Sequence, residues 1–171
     1  MKSLWMCVLA VLCSAGIAAA GEPGSSRSDA AAAFDRLKTL AGAWQSDTKD
    51  MGKARVEYEV VAGGSALIER FTAEKMGQPM ITLFHMDGDA LRLTHYCMAG
   101  NQPTMVARTI GKDGTIAFQF AGAGNLKSAN AGHMHDATFR LIDDGRFASR
   151  WTFYENGRPK FTEDNEYARI Q

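Results

Sequence analysis

Residues 55–71 read Arg55-Val56-Glu57-Tyr58-Glu59-Val60-Val61-Ala62-Gly63-Gly64-Ser65-Ala66-Leu67-Ile68-Glu69-Arg70-Phe71. Apolar and polar side chains alternate along both arms, which is the period of a half-buried β-strand. Gly63 and Gly64 sit between the arms, where a two-residue hairpin turn requires positive φ. That turn sets the register: Val60 faces Leu67, Tyr58 faces Glu69 and Val56 faces Phe71. Partners across a pair share a face of the sheet. Glu57 and Arg70 therefore meet on the solvent face as an exposed ion pair worth little. Tyr58 and Glu69 are left on the apolar side, an uncommon place for a carboxylate.

The same pattern continues downstream. Turn chemistry recurs at Asp87-Gly88-Asp89, Asp113-Gly114, Asp143-Asp144-Gly145 and Asn156-Gly157, each with a glycine where a hairpin needs positive φ. The alternating runs between turns give about ten strands, near 43–48, 54–61, 66–74, 79–86, 90–98, 103–110, 115–121, 135–142, 147–155 and 160–169. Nothing after Ala43 reads as a helix long enough for a crossover, so antiparallel pairing is expected. An open sheet of that size would leave two edges and a bare apolar face, and a barrel removes both. The expected fold class is all-β: a single antiparallel up-and-down β-barrel of about ten strands with a short N-terminal helix.

Upstream, Ser28 or Asp29 caps a short helix running through an alanine run to Leu40, with Phe34, Leu37 and Leu40 on one stripe and Gly42 ending it. Gly21 to Ser28 reads as a flexible linker. The first residues read as a secretory signal peptide: Lys2, an apolar run from Leu4 to Cys13, and Ala18-Ala19-Ala20 before Gly21. Its apolar run is too short to span a bilayer, so no integral membrane segment is expected once the signal is removed. Export to the periplasm or medium would follow. Cleavage would leave one domain of about 150 residues. The whole chain carries 19 Lys+Arg and 19 Asp+Glu. That balance gives no electrostatic case for nucleic acid. Cys7 and Cys13 would leave with the signal, and Cys97 would remain as a lone thiol, either buried and inert or functional.

Hairpin register also assigns the interior. Met86 opposes Leu91, Phe84 opposes Leu93, Thr82 opposes His95 and Met80 opposes Cys97. Ile116, Phe118 and Phe120 point inward. A type I turn with a glycine bulge at Asp143-Asp144-Gly145 pairs Leu141 with Phe147, Phe139 with Ser149, Ala137 with Trp151 and His135 with Phe153. Phe161 and Glu163 join Phe153 and Trp151. The interior is aromatic and aliphatic with a few polar groups, the composition of a small-molecule pocket. A barrel of ten strands is wide enough that its side chains need not fill it.

Leu40-Ala41-Gly42-Ala43-Trp44, directly after the helix, resembles the Gly-x-Trp opening of calycin barrels, the lipocalins, fatty-acid-binding proteins and their relatives. The resemblance implies that Trp44 seals one barrel end beneath an arginine from the last strand. Tyr167-Ala168-Arg169 would supply it. Gly42, Trp44 and Arg169 are thereby structural residues. With Val61-Ala62-Gly63-Gly64-Ser65-Ala66-Leu67, the opening also looks like an uncharacterised family of exported bacterial lipocalin-like proteins, over most of 34–171. The chain then divides into a signal peptide at 1–20, a linker at 21–28 and a lipocalin-like β-barrel domain at 29–171. Haem-binding barrels of the nitrobindin type are similar in strand number. Their glycine-rich opening with Tyr-Pro-Thr and a histidine near the C-terminus are absent here.

The leading functional expectation is an exported binding barrel for a small, largely apolar molecule, with Tyr58, Glu69, His95, Cys97, His135 and Trp151 as contact residues. A second reading is a copper or zinc protein. His133 and His135 alternate on one strand, as do His95 and Cys97, and imidazole with soft sulfur suits those metals. The two segments would have to meet across the barrel or at its rim. A third reading is an enzyme on the same scaffold, with Glu69 and Glu163 as an acid/base pair if both are buried. No Gly-x-Ser-x-Gly, phosphate-binding glycine loop or His-Glu-x-x-His is present. The loop 121–134 is a candidate cover for the barrel mouth, and 98–103 is the other long connection. The sequence names no cofactor, ligand or oligomeric state.

Overall fold

A computed structural model of the protein describes residues 28–48 and 51–170. The expected signal segment and most of the linker lie outside the described residues. The Ser28 hydroxyl accepts a hydrogen bond of 3.2 Å from the Ala31 N–H, and this cap starts helix α1 (Asp29–Lys38). Phe34, Leu37 and Leu40 are buried as the apolar stripe requires, although Leu40 lies just beyond the helix end.

Ten strands follow: β1 (Gly42–Thr48), β2 (Gly52–Val61), β3 (Ala66–Ala73), β4 (Met80–Asp87), β5 (Ala90–Tyr96), β6 (Gln102–Ile110), β7 (Thr115–Gly124), β8 (His133–Asp143), β9 (Arg146–Glu155) and β10 (Arg158–Arg169). Each pairs antiparallel with its neighbour in sequence, and β1 pairs with β10 to close the barrel. The all-β, up-and-down barrel expected from the turns is the fold. No helix among the described residues is long and apolar enough to cross a membrane.

Chain direction gives the barrel two ends. The turns at 62–65, 88–89, 111–114 and 144–145 lie at one, with α1 against β4, β5 and β6. The connections 74–79, 97–101, 125–132 and 156–157 lie at the other. The first end is shut. Trp44 is fully buried there, and its indole N–H donates to the Leu40 carbonyl at 2.7 Å. The Arg169 guanidinium lies over the Trp44 ring, 4.0 Å from its centroid. It also donates to the carbonyls of Thr39, Ala41 and Asp144, each at 2.9 Å. Gly42 has φ +123°, a conformation that side chains rarely adopt, and a Cβ there would stand 3.0 Å from an Arg169 nitrogen and press on the arginine.

Register agrees with the hairpin reading from β2 to β5. Val60 pairs with Leu67, Tyr58 with Glu69, Val56 with Phe71, Thr82 with His95 and Phe84 with Leu93. Glu57 does stand opposite Arg70, but its carboxylate takes Arg55 at 2.6 Å. Trp151 meets Ala137 and Glu163, and Phe161 stacks on Phe153 at 4.8 Å, but Phe161 is exposed beside the β10 bulge at Pro159–Phe161 and does not join the interior as expected.

Three further expectations need correction, all from the path of the backbone. The β8–β9 turn keeps the expected parity, with Leu141 on Phe147 and Phe139 on Ser149. Its bulge lies inside β8, between Leu141 and Asp143, and Gly145 is not among the positive-φ glycines. A second bulge between Met134 and Asp136 leaves His135 unpaired and puts Met134, not His135, opposite Phe153. An extra residue in one strand reverses the faces beyond it, so Met134 is the buried residue. Finally, β5 stops at Tyr96. Cys97 starts the following turn, with the Gly100 N–H on its carbonyl at 3.0 Å, so it is not paired with Met80.

The seam that closes the barrel is short. Among the described residues the ladder across it consists of Trp44–Arg169 and Gln45–Ala168, extended by the Ile170 N–H on the Ala43 carbonyl at 2.8 Å. Below them β10 parts from β1 and leaves an open groove of about 650 Å³ between Ser46, Lys53 and Arg55 on one side and Arg146 and Glu166 on the other.

Candidate functional site

Along the inward face of each strand, residue character changes from one end to the other. The closed half is hydrocarbon: Leu67, Phe84, Leu91, Leu93, Met105, Ile116, Phe118, Phe139 and Phe147 are buried. Phe84, Phe118 and Phe139 meet edge to face with centroids 5.4–6.0 Å apart, the arrangement that ring quadrupoles favour. Two residues further along the same strands stand Glu69, Thr82 and His95, each no more than 5 % exposed.

These polar groups form one chain. The Tyr58 hydroxyl donates to Glu69 Oε2 at 2.5 Å. Thr82 Oγ1 lies 3.0 Å from Glu69 Oε1 and 3.0 Å from His95 Nδ1. The other ring nitrogen, His95 Nε2, is buried and has no hydrogen-bond partner. The His95 ring rests on Trp151, centroids 4.9 Å apart. An internal cavity of about 20 Å³ opens beside them, with Tyr58, Glu69, His95, Glu163, Ser149, Asn165 and Tyr167 as its polar wall and Phe71, Met80, Met134 and Trp151 as its apolar wall. Such a space holds one water. The roomy pocket anticipated from strand number is therefore mostly filled, by the rings of the closed half and by two methionines.

Burial tunes the chain. Withdrawal from water pushes the Glu69 carboxyl up to about 7, against the opposing pull of the Tyr58 and Thr82 hydrogen bonds. Burial pushes the His95 imidazole down to about 4, so it is neutral near pH 7. Burial and then the Glu69 charge raise the Tyr58 phenol well above its ordinary range. The third functional reading paired Glu69 with Glu163 if both are buried; Glu69 is buried, Glu163 only partly, and the shifted neighbour of Glu69 is His95 instead. Glu69 and His95 are bridged by Thr82 and lie inside the barrel.

The other anticipated site residues gather at the open end. His133 Nδ1 lies 2.8 Å from the Ala131 carbonyl, so that nitrogen carries the proton. Its Nε2 is then the acceptor for His135 Nδ1, 3.0 Å away. The His133 lone pair is thus already used. His135 is sandwiched between Phe120 and Tyr154, at 4.8 and 4.0 Å. Cys97 is half-buried against the core, and burial raises its thiol pKa. Among the described residues, no three His, Cys, Asp or Glu side chains come together to hold a metal ion. His95 and Cys97 do not join His133 and His135 in one donor set.

The connection expected over the mouth is shorter than 121–134, because β7 reaches Gly124 and β8 begins at His133. It is tied down. Asn101 donates to the Gly132 carbonyl at 2.8 Å, Asn125 to Gly100 at 2.6 Å, and the Asn156 N–H to Asn130 at 2.9 Å.

The sequence reading missed Thr82 as a site residue, although it paired Thr82 with His95; the β3–β4 register that sets Thr82 opposite Glu69 has no turn signal to fix it. It also missed Asn165 and Tyr167, which share the parity of Glu163 on β10 and line the cavity.

No protein-family model matches the chain, and no curated protein matches it in sequence. Solved structures do resemble it in fold. Rv2717c from M. tuberculosis superimposes with a TM-score of 0.55 at 15% identity, over 81% of this chain and 98% of that one. A protein of unknown function from the DUF3598 family, from Nostoc punctiforme PCC 73102, does so at 0.51 and 12% identity, over 78% of this chain but only 49% of the other. At such identities the likeness concerns the fold alone. It is compatible with a lipocalin-like barrel.

Proposed function

We propose that the protein is an exported barrel that binds a small, largely apolar molecule in the open half of its interior, against His95 and Trp151. One observation carries the reading: His95, whose Nε2 is buried and without a protein partner, lines a cavity. A buried polar atom left unpaired costs roughly 1–3 kcal/mol. A chain of four polar side chains ending on such an atom is poor core design but good ligand design. The occupant supplies the missing bond while the surrounding apolar groups hold its body.

The cavity is small in this conformation, and its adaptable walls are what allow a larger guest. Met80 and Met134 have long, unbranched side chains that repack at little cost. Tyr167 lines both the internal cavity and the groove at the barrel seam, so it is the partition between the interior and the outside. Of the six contact residues expected from sequence, Tyr58, Glu69, His95 and Trp151 line the cavity. Cys97 and His135 stand at the mouth.

The test is tryptophan fluorescence of the purified protein during titration with small aromatic and aliphatic probes, backed by native mass spectrometry after incubation in cell extract. Saturable quenching in the native protein, weakened at least about tenfold in His95→Phe, supports the reading. No saturable binding of any probe, together with a ligand-free mass after extract incubation, would overturn it. Export is tested separately by the N-terminus of the protein recovered from cells. It should begin at Gly21.

A further inference from the structure

The chain Tyr58–Glu69–Thr82–His95 contains one hydroxyl that touches two different partners. Thr82 has a single hydroxyl hydrogen and lies equally close to Glu69 Oε1 and His95 Nδ1. It can donate to only one of them, and it must accept from the other. When Glu69 is ionised, both carboxylate oxygens are acceptors. Tyr58 donates to one and Thr82 to the other. The Thr82 oxygen then accepts from His95 Nδ1–H. A neutral imidazole has one N–H, so Nε2, on a ring that lines the cavity, is left as a bare lone pair.

We propose that the pocket selects its ligand by a hydrogen-bond donor, a hydroxyl or N–H group on a small apolar body that donates to His95 Nε2, and that the Glu69–Thr82 link sets this preference. The inference rests on the binding function proposed above and names the chemistry of that site. A guest offering only an ether or carbonyl oxygen would set lone pair against lone pair. The buried nitrogen would stay unpaired, a penalty that separates donor from non-donor ligands far better than shape does.

The preference reverses when Glu69 takes up a proton. A proton arriving from the cavity binds His95 Nε2. The Nδ1 proton passes to the Thr82 oxygen, and the Thr82 hydrogen passes to Glu69. One proton is gained and each partner keeps its valence. Nε2 now carries the N–H and offers it to an acceptor. The ionisable groups facing this exchange are Tyr58 on β2, His95 on β5, and Glu163 and Tyr167 on β10, with Cys97 next to Glu163. Tyr58 and Tyr167 are held protonated by burial. Glu69 is the group of the chain that titrates near neutrality.

Pyrrole and furan test this directly, being rings of matched size with and without an N–H. At pH 8.5 pyrrole should bind at least about tenfold tighter than furan, and by pH 5.5 the ratio should collapse or invert. Thr82→Val should remove the pH dependence of the ratio. The ¹⁵N resonances of His95 in the unliganded protein provide a reading that needs neither variant nor ligand. They should show the Nδ1–H tautomer at pH 8.5 and the Nε2–H tautomer at pH 5.5. Equal binding of the two rings at pH 8.5 would leave the binding function standing and overturn this inference. Binding of neither ring at pH 8.5 would overturn the inference, and the binding function would then stand or fall on the wider probe titration and native mass described above. An Nε2–H tautomer at pH 8.5 would overturn the inference alone.

Discussion

The two halves of this barrel are built on the same ten strands and differ most in what those strands point inward. In the closed half β3 contributes Leu67, β4 Phe84 and β5 Leu91 and Leu93. One alternation later the same strands contribute Glu69, Thr82 and His95. In the closed half the polar requirements belong to the backbone, and one guanidinium meets three carbonyls while covering Trp44. In the open half the side chains themselves are polar and bond to one another, and His95 Nε2 and, in the 97–101 connection, Asn101 Oδ1 are left without a protein partner. The first arrangement spends its polar groups on stability. The second keeps an unsatisfied one beside a cavity, which is the mark of a place made to receive something.

That contrast is easiest to break with cavities. Phe84→Ala should cost about 3–5 kcal/mol, because Phe84 is fully buried among rings that cannot close over the gap. Met80→Ala, beside a void and slightly exposed, should cost about 2 kcal/mol, at the low end for such a truncation. Urea unfolding of the two variants gives both numbers. Equal losses would mean that the halves are packed alike.

The next effect is a pH dependence peculiar to the open half. Glu69 holds its proton to about pH 7 when folded, against 4.5 for the ordinary carboxyl. Its contribution is complete below 4.5 and is lost as pH rises through 7. His95 stays neutral down to about pH 4 when folded, against an ordinary 6.5, so its contribution is complete above 6.5 and is lost as pH falls toward 4. Each slope is about 1.4 kcal/mol per pH unit, and they oppose. Between pH 4.5 and 6.5 they should cancel, leaving the native protein nearly level. Glu69→Gln should make stability rise with pH through that window, and His95→Gln should make it fall. Variants with parallel profiles would show that the two groups do not titrate as the buried chain requires.

Smaller effects sharpen the closed end. Arg169→Lys keeps a charge but loses the planar fork that reaches three carbonyls, and should cost about 1–2 kcal/mol in thermal or urea unfolding. Ser28→Ala removes the α1 cap and should cost about 1 kcal/mol in the same measurement. A loss at Ser28 larger than that at Arg169 would argue that the helix, not the arginine, holds this end shut.

Much of this was legible in the residues because β-structure has a period of two and glycine-rich turns set its phase. Gly63-Gly64 alone placed Tyr58, Glu69 and Phe71 on the inner face, and Gly88 carried the phase on to Thr82 and His95. Phase is also what failed. The bulge between Met134 and Asp136 adds a residue that no composition signal marks, so His135 was assigned to the interior in place of Met134. Cys97 was assigned to a strand that had already ended in a turn. The cavity size was not legible because it depends on how side-chain volumes fill the barrel, not on strand number. Met80 and Met134 occupy space that strand number alone leaves open. Thr82 was within reach, since a hydroxyl between a buried carboxyl and a buried imidazole is a bridge by geometry.

The central claim is that the open half keeps a ring nitrogen for a guest. A crystal structure of the protein at atomic resolution tests it most directly. The account predicts a water or ligand polar atom about 2.7–3.2 Å from His95 Nε2, the range of a real hydrogen bond. A dry cavity, or a protein group already bonded to Nε2, would contradict it.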